Sequence, residues 1–129
     1  MENQSKFYIN GAWVNPIGSE TIEVINPSDE SVIGTIAAGT KEDIDEAVAA
    51  ASSAFNSFGF SSKEDRIKLI EDIITEYENR YDDLVETITE EMGAPTWLSQ
   101  KAQASTGIKN LHETLDALKE YEFEKKEGD

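Results

Sequence analysis

The sequence predicts an α+β fold in which N-terminal β-hairpins over residues 6–38 precede three to four amphipathic helices over residues 41–121. The first observation is an Asn-Gly pair between two short β-prone runs, which is a strong hairpin signal. The second is that later apolar residues recur at spacings of three and four, as on one face of a helix. We expect residues 1–129 to form one unit, with a charged tail at 122–129 that frays.

Two hairpins are expected in the β-rich part. Residues 6–9 and 12–14 flank Asn10-Gly11, and both of these residues readily adopt the positive φ values of a type I′ turn. Residues 21–25 and 31–37 flank Asn26-Pro27-Ser28-Asp29, where proline is pre-set for the second position of a turn. The second pair of strands is therefore expected to be antiparallel as well.

Helix signals begin at Thr40, which is a candidate N-cap with Asp43 at the capping-box position. Either Ser61 or Ser62 is expected to cap the next helix, and Asn79 either ends or kinks that helix. A third helix is expected to stop at Gly93-Ala94-Pro95. The last helix should start at Pro95 and carry a long stripe that needs a partner surface. This stripe consists of Trp97, Lys101, Ala104, Ile108, Leu111, Leu115 and Leu118.

Charge excludes some partners. The chain has 27 acidic and 11 basic residues and a formal net charge of −16 at pH 7. Such a surface repels nucleic acid phosphates and anionic lipid headgroups, so we expect neither a nucleic-acid nor a membrane partner. The acidity is interpreted mainly as a source of solubility, and an acidic patch for a basic partner or a cation is the other interpretation.

The inventory of chemically active residues is small. The chain has no cysteine, which excludes disulfides, zinc–thiolate sites and a cysteine nucleophile within it. His112 is the only histidine and is expected on the surface, and adjacent acidic residues point about 100° apart on a helix, so they do not converge on one ligand. No signal peptide and no run of about 18 apolar residues is visible, so a cytoplasmic location is the default expectation.

Several segments, in order, resemble those of NAD(P)-dependent aldehyde dehydrogenases. Residues 7–14 resemble the family's opening F-I-N-G-x-W hairpin. Residues 24–34 resemble its V-x-N-P-x-T-G-E-V-I hairpin, with Asp29 and Glu30 in place of Thr-Gly. Residues 47–55 and 66–70 resemble the starts of its first two helices, and residues 90–95 resemble its E-x-G-K-P corner with Ala94 in place of Lys. The resemblance implies a partial piece of the α/β aldehyde dehydrogenase fold.

This resemblance implies an N-terminal fragment of an oxidoreductase that converts an aldehyde to a carboxylic acid with NAD or NADP when complete. The catalytic Cys, the base and the cofactor site would lie in the remainder of the chain, which is the implied partner, and the whole enzyme is expected to be a homo-oligomer. The fragment alone is expected to be inactive and to bind no cofactor. The alternative is a free-standing acidic helical module for binding or oligomerisation, without enzymatic activity.

Two sites are carried over from the family. The backbone oxygen of Ile25 and the carboxylate of Glu91 match positions that bind a monovalent cation in many members, although Glu91 also fits an ordinary helix-end glutamate. Ala102 and Thr106 match positions that line the substrate tunnel, and their small size would suit a roomy tunnel. An exposed turn of helix is the competing interpretation of these two residues.

Overall fold

The computed structural model describes residues 5–128, which fall into two compact units. One, here called the hairpin unit, comprises the described residues up to Phe60 together with Glu90–Ala94. The other, here called the helical unit, comprises Ser61–Thr89 and the described residues from Pro95 onward. Antiparallel strand pairs followed by helices confirm the predicted α+β class. No helix within residues 5–128 is both long and apolar enough to cross a membrane.

The first hairpin pairs β1 (Phe7–Ile9) with β2 (Ala12–Val14) in antiparallel register. Its turn residues Asn10 and Gly11 have φ values of 53° and 77°, the left-handed geometry that the Asn-Gly signal predicts. Tyr8 lies directly opposite Trp13, and their rings pack edge to face with centroids 5.2 Å apart. Such a cross-strand aromatic pair stabilises a short hairpin.

The second hairpin pairs β3 (Thr21–Ile25) with β4 (Val32–Ala37), with a register irregularity between Val24 and Ile25. Its turn is held by the side chains of Asn26 and Asp29, which accept the backbone N–H groups of Ser28 and Ser31 at 2.9 and 3.0 Å. Glu30 adopts a φ of 62°, which is the left-handed region that favours glycine. This is the position where the family pattern has its glycine.

Helix α1 (Lys41–Phe58) completes most of the hairpin unit. Thr40 is its N-cap and forms a capping box with Asp43, which confirms that prediction. Asp43 is only 5% exposed, and it also accepts the backbone N–H of Ile17. The outer face of the helix is open: Ile44, Val48 and Phe55 are 60%, 61% and 65% exposed.

The remaining helices are α2 (Lys63–Asn79), α3 (Tyr81–Met92), α4 (Thr96–Leu98) and α5 (Ser105–Glu120). Ser62 caps α2, and Asn79 ends it. The last helix was predicted to be regular from Pro95 onward, and this is wrong at one place. Ser99–Ala104 form a π-helical segment between α4 and α5. Its i+5 hydrogen bonds interrupt the spacing on which the predicted stripe depends.

Burial is concentrated in the helical unit, where α2 packs against α5. Ile74, Val85, Ala104 and Leu115 are all buried there. The centre of the predicted stripe is therefore covered within its own unit, whereas Trp97 at its start remains 63% exposed. The Lys63 ammonium group donates to the carbonyls of Lys119 and Tyr121, so α2 also holds the end of α5. Beyond it, Phe123 lies under the Arg66 guanidinium, 5.8 Å from Cζ to the ring centre.

Candidate functional site

The residues proposed to line a tunnel lie on and beside the π-helical segment. Ala102 is inside this segment and partly buried, and Thr106 is in the first turn of α5 and exposed. The Thr106 hydroxyl donates to the Ala102 carbonyl at 2.6 Å, so the two residues stand one turn apart, as their spacing predicts. Because this hydroxyl is engaged with the backbone, both residues present small and mainly apolar groups.

Side-chain hydroxyls supply hydrogen bonds to the carbonyls of this segment. Tyr81 donates to the carbonyl of Gln100, and Tyr77 donates to that of Ala104 at 2.8 Å. Ser105 donates to the carbonyl of Lys101 at 2.7 Å. A π-helical turn changes which amide meets which carbonyl, so donors from outside the backbone ladder stabilise it. The π-helical segment is thus stabilised by hydrogen bonds from three side-chain hydroxyls.

Gly107 makes the Tyr77 contact possible. A Cβ atom at Gly107 would lie 2.3 Å from the Tyr77 hydroxyl oxygen, well inside van der Waals contact. Only glycine therefore lets this hydroxyl reach the carbonyl of Ala104 from its present position. Burial of the Tyr77 phenol raises its pKa above the ordinary value, and the neighbouring Tyr81 adds to the rise. The phenol therefore remains a neutral hydrogen-bond donor at physiological pH.

The start of the segment is fixed separately. Ser99 is fully buried, and its hydroxyl lies 2.9 Å from that of Thr89, to which it is hydrogen-bonded. Thr89 also donates to the carbonyl of Val85 on the same helix at 2.8 Å. At its other end, Ala104 is fully buried as well. Both ends are held by packing, while Ala102 between them remains partly accessible.

The proposed cation position lies elsewhere, in the hairpin unit. Ile25 ends β3 and is 49% exposed, and Glu91 is exposed in the last turn of α3. The two segments come together just beyond these residues, because Gly93 has a φ of 63° and packs tightly against the turn. A Cβ there would lie 2.8 Å from the backbone nitrogen of Ser28. No group of three or more His, Cys, Asp or Glu side chains within residues 5–128 is placed to hold a metal ion.

The comparisons with known proteins decide the family. The model of the aldehyde dehydrogenase family matches residues 13–129. The chain belongs to the aldehyde dehydrogenase family. A putative aldehyde dehydrogenase of Staphylococcus aureus strain bovine RF122 / ET3-1 is 47% identical over all 129 residues, which make up 27% of that protein. The chain thus spans about a quarter of the length of the curated relatives it matches, and it corresponds to an N-terminal portion of them.

Solved aldehyde dehydrogenases share the fold of this chain. The enzyme from Bartonella henselae is 38% identical, with a TM-score of 0.91 over 94% of this chain and 25% of the other. A mutant of aldehyde dehydrogenase C from Pseudomonas syringae, solved in complex with NAD+ and octanal, is 34% identical. Its TM-score is 0.95 over 98% of this chain and 26% of the other. These similarities confirm the predicted partial aldehyde dehydrogenase fold.

Sequence reasoning missed the residues that shape this part of the aldehyde dehydrogenase fold. The helical spacing of Tyr77 and Tyr81 predicts only that they lie on an apolar face of a helix, and Gly107 is not among the predicted site residues. One usable signal was the run Ser105-Thr106-Gly107 within an otherwise helical pattern. Three poor helix formers in succession indicate a backbone that takes local side-chain donors or a close neighbour. His112, by contrast, is exposed, as the sequence predicts.

Proposed function

We propose that this chain is the N-terminal part of an NAD-dependent aldehyde dehydrogenase that oxidises an aldehyde to a carboxylic acid. The observation that carries the proposal is the match to the Pseudomonas syringae enzyme, solved with NAD+ and octanal, over 98% of the chain. NADP is the alternative cofactor. The test is to measure initial rates of the full-length enzyme with NAD+ and with NADP+. The proposal would be contradicted if the enzyme reduced neither nucleotide with any aldehyde.

The contribution of this segment is structural. No cysteine is present in its 129 residues, so a cysteine nucleophile has to come from the remainder of the enzyme, and the cofactor site is proposed to lie there too. The remainder of the chain is therefore its first partner, and further copies of the enzyme in a homo-oligomer are the second. The net charge of −16 supports the proposal that the enzyme has no nucleic-acid or anionic-membrane partner, and a cytoplasmic location is proposed by default.

Ala102 and Thr106 are proposed to form part of the wall of the substrate tunnel. Their support is the partial accessibility of Ala102 between two buried ends of a π-helical segment, a feature that is frequent at functional sites. Replacing Ala102 with Leu would narrow the tunnel at this wall. The test is the ratio kcat/KM for straight-chain aldehydes of increasing length in the full-length enzyme.

In the Ala102→Leu variant, kcat/KM for long aldehydes should fall by roughly tenfold or more, whereas kcat/KM for short aldehydes should be unchanged. The reason is that an overfilled apolar pocket rejects the larger substrate. Ala117→Leu is the matched control, since Ala117 is exposed on α5. If kcat/KM of the Ala102→Leu variant depends on aldehyde length as it does in the wild type, the proposal that Ala102 lines the tunnel is wrong. That result would leave the aldehyde dehydrogenase activity itself in place.

A monovalent cation is proposed at the corner, held by the backbone oxygen of Ile25 and the carboxylate of Glu91. Oxygen donors of this kind suit a hard cation, which here would stabilise the corner between the turn and the end of α3. The support is the tight packing of Gly93 against the turn that follows Ile25. Thermal unfolding of the full-length enzyme in potassium, sodium and tetramethylammonium chloride is the test.

Glu91→Gln should abolish any stabilisation by the small cations, whereas Glu90→Gln, which changes the adjacent exposed glutamate, should not. Equal responses of the two variants would leave Glu91 as an ordinary residue at a helix end.

A further inference from the structure

We propose that Tyr77 and Tyr81 are positioning residues that determine which aldehydes the enzyme accepts, by holding the π-helical segment Ser99–Ala104 in place. This inference rests on the proposed function, in which Ala102 and Thr106 form part of the tunnel wall. Neither tyrosine belongs to that wall in the proposal. Each tyrosine acts indirectly, through its hydrogen bond to the backbone of the π-helical segment that carries the wall residue Ala102.

The two hydroxyls bracket Ala102. Tyr81 binds the carbonyl of Gln100, two residues before Ala102, and Tyr77 binds that of Ala104, two residues after it. The two rings lie side by side, with centroids 6.4 Å apart and planes inclined at 56°. Neighbouring tyrosines thus bind carbonyls four residues apart on one helix. The wall residue lies midway between the two points of attachment.

A change of helix type here would rotate the wall. A π-helical turn holds one residue more than an α-helical turn, and one residue corresponds to about 100° around an α-helix. The buried Leu115 fixes α5, and the buried Ser99 fixes the other end. Any relaxation of the segment toward regular α-helix must therefore fall between these anchors, where Ala102 lies. The tyrosine hydroxyls favour the π-helical state because they donate to the carbonyls of Gln100 and Ala104 in the positions that this state gives them.

Gly107 is the third part of this arrangement. It leaves the space in which the Tyr77 hydroxyl lies, since a Cβ there would lie 2.3 Å from that oxygen and 2.9 Å from Cζ. Substituting Gly107 with Ala therefore displaces the Tyr77 hydroxyl without altering Tyr77 itself. It provides a second, chemically different way to break the same hydrogen bond.

The test uses the full-length enzyme with Tyr77→Phe, Tyr81→Phe and Gly107→Ala, assayed on the straight-chain aldehyde series. We expect KM for the longer aldehydes to change by roughly 3- to 10-fold, while kcat for the shortest aldehyde stays within twofold. Tyr121→Phe is the matched control, because Tyr121 is exposed beyond the end of α5. A uniform loss for all chain lengths, or no change, would overturn the inference.

Amide hydrogen exchange separates this inference from the proposed function. In each variant that breaks a tyrosine–carbonyl bond, exchange over residues 99–106 should speed up by about tenfold, and exchange near the buried Leu115 should not. If Ala102→Leu alters the length profile but the tyrosine variants alter neither it nor exchange, only the positioning role fails. If exchange changes as expected but neither Ala102→Leu nor the tyrosine variants alter the profile, the tunnel wall is wrong and the selectivity role falls with it.

Discussion

Asp43 Oδ1 accepts the backbone N–H of Ile17 at 3.0 Å, which ties the start of α1 to a loop 26 residues earlier in the chain. Its other oxygen accepts the backbone N–H and the hydroxyl of Thr40, at 2.8 and 2.9 Å. Asp65 occupies the same capping-box position in α2, but its bonds to Ser62 are all local. The two aspartates therefore separate the effect of a helix cap from that of a long-range tie.

Asp43→Asn should lower the midpoint temperature of unfolding more than Asp65→Asn does. An amide retains one acceptor oxygen, and its NH2 group must then face one of the N–H donors that the carboxylate now accepts. Both variants weaken a cap, but only Asp43→Asn also disturbs the bond to Ile17 within a buried site. Thermal unfolding followed by circular dichroism measures the difference, and equal losses would show that the tie to Ile17 adds nothing.

Acid should destabilise the protein through the same carboxylate. The hydrogen bond from the Thr40 backbone, followed by that from Ile17, lowers the pKa of Asp43 in the folded state. Its contribution is therefore complete above the unfolded value near 4, and it disappears as the pH falls through the lower folded value. Denaturant unfolding between pH 2 and 7 should show a shallower acid loss in Asp43→Asn than in the wild type. Identical slopes would contradict this assignment.

The contact between Gly107 and Tyr77 predicts a coupled effect on stability. Alanine is better than glycine inside a helix by about 1 kcal/mol, but here it displaces the hydroxyl that binds Ala104, which costs about the same. Gly107→Ala should therefore be nearly neutral in the wild type and stabilising by about 1 kcal/mol in a Tyr77→Ala background, which removes both the hydroxyl and the ring carbons that a Cβ at Gly107 would meet. A double-mutant cycle measures this coupling, and additive effects would show that the two residues do not share the contact.

Glu30 is strained by its left-handed backbone. A side chain in this region of φ costs about 1–2 kcal/mol of stability, which a substitution by glycine recovers. Part of this gain is offset, because glycine has more conformational freedom in the unfolded chain. Glu30→Gly should thus raise the free energy of unfolding by roughly 0.5–1 kcal/mol. Ser19→Gly, at an exposed loop position without a positive φ, should lower it slightly. Denaturant titration of both variants tests the sign, and destabilisation by Glu30→Gly would refute the strain.

The isolated chain of 129 residues should be catalytically inactive and prone to self-association. It should reduce neither NAD+ nor NADP+ with any aldehyde, because it has no cysteine nucleophile. The exposed apolar face of α1, formed by Ile44, Val48 and Phe55, should bind the dye ANS and promote self-association. Val48→Lys should reduce both effects without lowering helix content, and light scattering measures the association. If the isolated chain is a monomer that does not bind ANS, this result would instead favour the alternative that it is a free-standing binding or oligomerisation module.

The sequence was most informative where the cause of a structure is local. Asn10-Gly11 fixes its turn through two residues, and Thr40 with Asp43 caps a helix within one turn, so both predictions are confirmed. The π-helical segment depends instead on hydroxyls from Tyr77 and Tyr81, which lie about twenty residues or more earlier. Helical periodicity does not reveal which tyrosine meets which carbonyl. For the same reason the bond between Asp43 and Ile17 was not predicted.

The apolar surface was also misplaced for a physical reason. The stripe from Trp97 to Leu118 was expected to require a partner surface, but α2 covers its centre within the same unit. The open apolar face is on α1 instead. Amphipathic spacing identifies a face that will be buried, but it does not identify the element that buries it.

The π-helical turn between Ser99 and Ala104 has a consequence for comparing relatives. Because such a turn accommodates one residue more than an α-helical turn, a relative with a regular helix here should align with a single-residue deletion between positions 99 and 104. Relatives that keep the extra residue should also keep glycine at position 107 and a phenol at position 77. That pattern of presence and absence would divide the family into two groups on the basis of one inserted residue.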